Sequence, residues 1–354
     1  MNILVVDDSR VVRLLLREVF QQHGYRVFEA ESGEQALEMV QKEHIDIITM
    51  DVHMPGINGF ETTERILELR GIPIIILSAS TSVSSNQAAI RALEAGALAI
   101  LEKPENPLAE NFDSQIDELT RTVRIMREVR VIRRRRKTTA AASKNELNEK
   151  LQTDIAELQP KVVIIAASAG GPGVLKEILS TIKAPFPLPI VLIQHIAPGF
   201  SDSFINWLQR YTGMEIRLAA NHQSLKPNQV IIPPDNYQLA FSATQNVYLT
   251  ERTANHPICP SADITMQSAA RTFQHTAIGI QLSGMGKDGA IGIQMLHQVG
   301  AITLAQKPQS ATIASMPEAA IRTGAVSHIL TPAEIGAMLN KIAEQVQQEL
   351  QIEE

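Results

Sequence analysis

The segment KVVIIAASAGGP, residues 161–172, places a serine and two glycines directly behind an apolar run. Such a run is typical of a strand that is covered on both faces of a parallel sheet, and the residues that follow have helical spacing. Three roles are compatible with Ser168 at this strand-to-helix turn. It could be a nucleophile that needs a base, the N-cap of the helix, or a small residue that lets a phosphate approach.

The same alternation of apolar runs and amphipathic segments continues along the chain and predicts an α/β fold with two doubly wound parallel-sheet domains. Five strands are predicted in the first domain, in the runs NILVV, YRVFEA, IDIITM, IPIIIL and ALAIL. The runs KVVIIAA, LPIVLIQ and TAIGIQL predict a second, Rossmann-like domain. We therefore expect domains at residues 1–121 and 161–354, with a helix end and a polar linker over residues 122–160.

The last helix of the first domain is predicted to start near Pro107. The basic run Arg133–Arg136 in the linker fits a solvated helix end, with contact to an acidic partner or nucleic acid as the alternative.

Composition describes an ordinary globular protein of 354 residues, with 44% hydrophobic and 20% charged residues. The net charge of −6 argues against nucleic acid as the main partner. The single cysteine, Cys259, excludes an internal disulfide framework and fits a reducing compartment. The sequence shows no signal-peptide pattern and no apolar run of roughly 20 residues. We expect a cytoplasmic monomer without membrane insertion.

Acidic and polar residues follow the predicted strands of the first domain. Asp7 and Asp8 come after the first strand, and Asp51 ends the third. The carboxyl ends of parallel strands share one edge, where three carboxylates would repel one another unless Mg²⁺ neutralised them. Ser78 and Lys103 add a hydroxyl and a cation at that edge, so the set suits phosphoryl transfer onto a carboxylate. Each residue taken singly is also compatible with a turn or a helix cap.

The motifs VVDDS, DVHMPGINGFE, ILSAS and EKP resemble the receiver domain of response regulators over about residues 1–121. The resemblance implies that a histidine kinase phosphorylates Asp51. The implied magnesium ligands are Asp7, Asp8 and Asp51, and the implied phosphate-sensing residues are Ser78 and Lys103. Ile100 stands where receivers usually have an aromatic residue, so the resemblance does not extend to the aromatic rotamer switch.

The second domain places two further reactive residues after predicted strands. VLIQHIAPG puts His195 behind one strand, and IGIQLSGMGKDGAIG puts Asp288 in a glycine-rich turn behind another. A Ser168 nucleophile, a His195 base and an orienting Asp288 would then meet at one sheet edge. A core histidine and a turn aspartate are the alternatives for the last two. The backbone N–H groups expected to hold an oxyanion belong to Ala169, Gly170, Gly171 and Met285.

The segments AASAGGP, VLIQHIAPGFSDSF, VIIPPDNYQL, CPSADITMQSAA, LSGMGKDGAIG and SMPEAA together resemble the catalytic domain of chemotaxis methylesterases over about residues 161–347. The resemblance implies a Ser168–His195–Asp288 triad, hydrolysis of glutamate methyl esters on chemotaxis receptors, deamidation of receptor glutamines, and no cofactor for the hydrolysis. The chain departs from the family pattern at Ala166, at Ile196-Ala197 and at Cys259-Pro260. These departures bear on receptor preference and rate.

Other output functions are also compatible with a receiver. A DNA-binding output would need tandem short helices with a basic face, which the second half does not show. An inactive receptor-docking adaptor would be expected to lose a triad residue, and none is missing. A receiver-controlled esterase that acts on another ester is the nearest enzymatic alternative.

Overall fold

The computed structural model describes residues 1–78, 95–104, 106, 108–109, 112–126, 159–196, 199–253, 256 and 258–353, with side chains as far as residue 348. The chain divides into two compact units, Met1–Arg136 and Lys137–Glu354. Residues 127–158, with the basic run Arg133–Arg136, lie outside the described residues, so the predicted domain boundaries stay predictions. Among the described helices, none combines the length and the apolar character that crossing a bilayer requires.

The first unit is built on a five-stranded parallel sheet in the order β2-β1-β3-β4-β5. Its strands are β1 (Asn2–Val6), β2 (Arg26–Ala30), β3 (Ile47–Asp51), β4 (Ile74–Ser78) and β5 (Ala99–Glu102). The central strands β3 and β4 are buried along their whole length, because helices cover both faces of a parallel sheet. The predicted five-stranded sheet is confirmed.

The described helices of the first unit are α1 (Arg10–Gln22), α2 (Gly33–Lys42), α3 (Gly59–Leu69) and α4 (Phe112–Met126). Ser9, Ser32 and Asn58 cap the first three with side-chain oxygens, which satisfy N–H groups that have no partner inside the helix. Helix α4 begins later than predicted. Residues 108–109 form a turn, and the Phe112 N–H bonds to the carbonyl of Ala109.

The second unit contains a seven-stranded parallel sheet in the order β14-β13-β12-β6-β7-β9-β8. These strands are β6 (Val162–Ala167), β7 (Ile190–Gln194), β8 (Glu215–Leu218), β9 (Gln229–Ile232), β12 (Ala277–Gln281), β13 (Ile302–Gln306) and β14 (His328–Leu330). Strands β10 (Tyr237–Phe241) and β11 (Val247–Glu251) form a separate antiparallel pair. The three predicted strands are β6, β7 and β12, at the centre of the sheet.

The helices of the second unit are α5 (Gly171–Thr181), α6 (Ser201–Leu208), α7 (Ala262–Thr272), α8 (Ala290–Gln298), α9 (Ser315–Arg322) and α10 (Pro332–Glu353). One hydrophobic core joins the sheet to α7 and α8, with residues such as Ile164, Met266 and Ile293 packed together.

In both sheets the strand order reverses at the first strand, and such a reversal opens a crevice at the carboxyl ends of the strands. In the first unit β2 and β3 lie on opposite sides of β1, and in the second unit β7 and β12 lie on opposite sides of β6. Ala167 is in register with Gln194, and Ala166 with Gln281. The residues that follow these three strands are therefore neighbours.

Candidate active site and phosphoryl-acceptor site

The carboxyl edge of the first sheet gathers the acidic residues. Asp7 and Asp8 follow β1, and Asp51 ends β3 beside it. Asp7 and Asp51 are buried while Asp8 is exposed. One carboxylate oxygen from each of the three lies within 4.8 Å of the other two. Gly59 approaches the main chain of Asp51 so closely that a Cβ there would overlap the Asp51 carbonyl oxygen.

Lys103 joins two of these carboxylates. Its Nζ lies 2.8 Å from Asp7 Oδ2 and 2.9 Å from Asp51 Oδ2, and its side chain is buried. Burial alone would lower the pKa of Lys103, but its hydrogen bonds to the two carboxylates raise it above the ordinary value. Burial, followed by the charge of Asp51, raises the pKa of Asp7 although Lys103 opposes the change. The ammonium group therefore stays charged and partly neutralises the acidic cluster.

The acidic cluster fits a hard divalent cation. Three carboxylates with converging oxygens, one of them exposed to solvent, form the donor set that Mg²⁺ prefers, since this ion keeps several waters. Ser78 ends β4, is buried, and lies one strand away from Asp51. Ile100 lies within β5, in register with Ile76 of β4.

Ser168 lies at the corresponding edge of the second sheet, one residue beyond β6. Its N–H bonds to the carbonyl of Ser283 at 3.0 Å, and its own carbonyl accepts the N–H of Gly171 at 2.8 Å. Helix α5 begins at Gly171 with Gly170 as its N-cap, in a left-handed conformation with φ of +76°. Ser168 is therefore not the N-cap of this helix. Its hydroxyl makes no hydrogen bond with any residue that the structure describes.

His195 follows β7 directly and pairs with Asp288. The ring Nε2 lies 2.9 Å from Asp288 Oδ2, and the His195 N–H extends the ladder to the carbonyl of Ala167 at 2.9 Å. With Nε2 turned to the carboxylate, Nδ1 is the ring nitrogen that has no hydrogen-bond partner in the described part of the chain. The histidine side chain is partly exposed.

Asp288 is 5% exposed and is held by the start of α7. Its Oδ2 accepts the Ala262 N–H at 2.7 Å, and its Oδ1 accepts the Ser261 hydroxyl at 2.8 Å and the Asp263 N–H at 3.1 Å. Burial alone would raise the pKa of Asp288, but the bond and charge of His195 together with these donors lower it. The N-terminal N–H groups and dipole of α7 thus keep the acid ionised.

Helices α7 and α8 exchange caps around this carboxylate. While Asp288 accepts N–H groups at the start of α7, Asp263 Oδ1 accepts the Gly292 N–H in the first turn of α8 at 2.8 Å. Helix α8 needs this cap because its own N-cap, Gly289, has no side chain. Sequence reasoning missed Ser261 and the first residues of α7 as supports of Asp288. The Pro260-Ser261 start of a helix was the signal that could have indicated them.

The predicted oxyanion donors differ in their availability. The N–H of Gly171 is already bonded to the Ser168 carbonyl, so the structure removes it from the set. Within the described residues, no acceptor takes the N–H of Ala169, Gly170 or Met285. Ala169 and Gly170 belong to the turn between β6 and α5, next to the serine. These three N–H groups remain our proposed donors.

Two further residues fit closely around Ser168 and were missed from the sequence. A Cβ on Gly284 would lie 2.8 Å from Ser168 Cβ and would overlap Met316 Sδ. The buried Ser283 hydroxyl donates to the Ala169 carbonyl at 3.0 Å and accepts the Ile313 N–H at 3.1 Å. The loops that follow β6, β12 and β13 are thereby tied together around the nucleophile.

Comparisons with known proteins identify the families that the two units match. The CheB methylesterase family matches residues 163–339, and the response regulator receiver domain matches residues 3–110. A protein from Hahella chejuensis, named protein-glutamate methylesterase/protein-glutamine glutaminase 3, is 36% identical over 343 residues, which are 97% of this chain and 98% of that protein. A protein from Syntrophus aciditrophicus, with the same name and the number 1, is 37% identical over 346 residues, or 97% and 98% of the two chains.

Solved structures also resemble parts of the chain. The Thermotoga maritima CheB methylesterase catalytic domain is 28% identical with a TM-score of 0.49, covering 52% of this chain and 98% of that one. The response regulator domain of Thermotoga maritima CheB is 29% identical with a TM-score of 0.32, covering 36% and 97%. On the sequence matches over nearly its whole length, the chain belongs to the CheB methylesterase family and carries a response regulator receiver domain ahead of the catalytic domain.

Proposed function

We propose that this chain hydrolyses the methyl esters of glutamate side chains on chemotaxis receptors and deamidates selected receptor glutamines, under the control of its receiver domain. The names of its full-length relatives support this substrate class. The observation that carries the chemistry is the 2.9 Å pair between His195 and Asp288 at the edge where Ser168 begins a strand-to-helix turn.

Ser168 is the nucleophile in the proposed reaction. Its hydroxyl attacks the ester carbonyl while His195 Nδ1 takes the proton, and Asp288 stabilises the imidazolium that forms. The N–H groups of Ala169, Gly170 and Met285 hold the developing oxyanion. His195 returns the proton to the leaving oxygen of the ester, which departs as methanol, or to the leaving nitrogen of the amide, which departs as ammonia. It then activates a water molecule that releases the glutamate carboxylate from Ser168.

Asp51 is the proposed acceptor of a phosphoryl group from a histidine kinase. Asp7, Asp8 and Asp51 would hold Mg²⁺, which supplies charge neutralisation for the incoming phosphoryl group. Lys103 already contacts Asp51 and would pair with a phosphoryl oxygen, and the Ser78 hydroxyl at the end of β4 would donate to another. Ile100 supplies no aromatic switch, so the response to phosphate would rest on Ser78 and Lys103.

The receiver is proposed to restrain the catalytic unit until it is phosphorylated. An aspartyl phosphate adds about −2 charge at one point, and a local charge change of this kind can bias an equilibrium between two states. The chain is expected to act in the cytoplasm and as a monomer. Light scattering of the purified protein would check the oligomeric state.

Methanol release from receptor-containing membranes with labelled methyl groups tests the proposal. The full chain should release methanol faster with acetyl phosphate and Mg²⁺ than without them, and Ser168→Ala should release none above background. A fragment that begins at Leu158 should be active without the phosphodonor and should not respond to it. If the chain hydrolyses a generic aryl ester but releases no methanol from receptors, its substrate is an ester other than receptor glutamate methyl ester. A fragment slower than the resting full chain would make the receiver an activator.

A further inference from the structure

Gln194, the last residue of β7, connects the main chain of the nucleophile with that of the base. Its Nε2 donates one N–H to the carbonyl of Ser168 at 3.0 Å and the other to the carbonyl of His195 at 2.9 Å. The side chain is 2% exposed, so water cannot replace these bonds if the amide is removed. One side chain thus joins two triad residues that come from different strands.

We infer that Gln194 is a positioning residue that fixes the spacing of Ser168 and His195 and the orientation of the peptide unit that carries the Ala169 N–H. In a trans peptide the carbonyl and the following N–H point in opposite directions. The Ser168 carbonyl is held by Gln194 and by the Gly171 N–H, so the Ala169 N–H of the same peptide unit points away from Gln194 and Gly171. This inference rests on the proposed function, in which that N–H binds the oxyanion.

The close packing of the first turn of α5 around the Gln194 amide supports the same assignment. A Cβ on Gly171 would lie 2.7 Å from Gln194 Oε1, so a side chain at position 171 would push the amide away from the two carbonyls. Gly171, which was predicted from the sequence to be an oxyanion donor, therefore makes room for Gln194. Gln194 in turn orients the Ala169 N–H, one of the proposed donors. Within the described residues, Gln194 Oε1 accepts no hydrogen bond, so the two donated bonds are what hold this amide in place.

The chain offers a matched control at the end of β12, which lies on the other side of β6 from β7. Gln281 is the last residue of β12 and is also fully buried, but its amide makes no hydrogen bond with a residue that the structure describes. Gln194→Met and Gln281→Met remove the same atoms from equivalent strand ends. The first change deletes two bonds to the triad, and the second deletes none.

The experiment uses the full chain and two readouts that do not need a receptor. The first is kcat and KM for an aryl ester, and the second is the rate at which a fluorophosphonate labels Ser168 with loss of fluoride, followed by intact mass. Gln194→Met should lower kcat and the labelling rate by about 10- to 100-fold with KM changed less than threefold, since small misplacements of reacting groups have effects of this size. Gln281→Met should stay within twofold of the unmodified chain in both.

Gln194→Glu gives a second test that holds even if the methionine variant does not fold. At alkaline pH its carboxylate has no N–H to donate, so kcat relative to the unmodified chain should fall at least tenfold. When the buried carboxyl takes up a proton it regains one donor, and the ratio should recover as pH falls. Near-normal kcat in either Gln194 variant at pH 8, or an equal loss in Gln281→Met, would overturn the inference. If the unmodified chain is labelled normally but releases no methanol from receptors in the separate membrane assay, that result would count against the proposed substrate alone.

Discussion

Replacing Asp288 with asparagine should lower kcat for ester hydrolysis by about 10³–10⁴ while the chain stays folded. The carboxylate accepts four hydrogen bonds, two on each oxygen. Asparagine has nearly the same shape, but one of its two terminal groups donates hydrogen bonds instead of accepting them. No orientation of the amide can satisfy all four donors.

Either orientation of the new amide in Asp288→Asn would be harmful in a defined way. With its NH₂ toward His195 and the Ala262 N–H, the imidazole loses the acceptor that fixes its tautomer. With its NH₂ toward Ser261 and the Asp263 N–H, the tautomer is kept but no negative charge faces the imidazolium in the transition state. A factor of 10³–10⁴ corresponds to about 4–5.5 kcal/mol of lost transition-state stabilisation. This is a reasonable value for a buried charge-assisted bond and the orientation it provides.

The assay is aryl ester hydrolysis by the full chain, with kcat and KM measured beside the thermal unfolding temperature. Asp263→Asn is the matched control. Its side-chain oxygen can still accept the Gly292 N–H, and the backbone N–H that it gives to Asp288 is unchanged. The control should stay within about threefold of the unmodified chain. If kcat of Asp288→Asn lies within tenfold of the unmodified value at equal KM, Asp288 does not orient the base.

The same pair of proteins predicts a dependence of stability on pH. Because the pKa of Asp288 is lower in the folded chain than its ordinary value of 3.8, its ionisation stabilises the fold above that value. That contribution is lost as pH falls through the still lower pKa of the folded state. The difference in unfolding free energy between the unmodified chain and Asp288→Asn should be constant above about pH 5 and shrink below pH 3.8. Urea unfolding across this range measures it, and a difference that grows with acid would contradict the assignment.

Three more predictions concern the acidic cluster and Gly284, which packs against Ser168. After incubation with acetyl phosphate and Mg²⁺, intact mass should show one added phosphoryl group on the full chain and none on Asp51→Asn; a gain in the variant places the acceptor elsewhere. Asp7→Asn should raise the unfolding temperature without Mg²⁺, because burial raises the pKa of Asp7 and the fold disfavours its anion at neutral pH. A lower unfolding temperature would refute this reasoning. The same variant should also bind Mg²⁺ more weakly. Gly284→Ala should lower kcat about 10- to 100-fold, because its Cβ would displace Ser168 or Met316; an unchanged kcat would show that Met316 alone gives way.

Much of the fold and the positions of the reactive residues could be predicted because the central strands are long and apolar. Strand β13 was missed although it is fully buried, since Thr303 interrupts its apolar pattern. The Thr303 hydroxyl bonds to the carbonyl of Ala325, a partner that only the folded chain brings near. The edge strands β8 and β14 have four and three residues with exposed positions, which leaves too short a pattern to detect.

The supports of the candidate site were harder to predict than its reactive groups. Ser261 and Gln194 act through bonds to residues that are distant in sequence or to main-chain atoms, and neither kind of bond leaves a local pattern. Gly171 was identified as important because it follows the serine, but its assigned role was wrong. Only the positions of the Ser168 carbonyl and the Gln194 amide show that its N–H is occupied and that its missing side chain is what counts.

The exchange of caps between α7 and α8 limits what a regulator of this enzyme can alter. Asp288 accepts an N–H group from the first turn of α7, and Asp263 accepts one from the first turn of α8. Both helices contribute to the hydrophobic core beneath them, so the acid–base pair belongs to the same folding unit as that core. Undoing that pair would mean fraying the first turns of two helices at once. We therefore expect control to act on the serine side, where the hydroxyl has no bonded partner in the described residues, and on the access of a bulky substrate. Small esters and large substrates should consequently sense the phosphorylation state to different degrees.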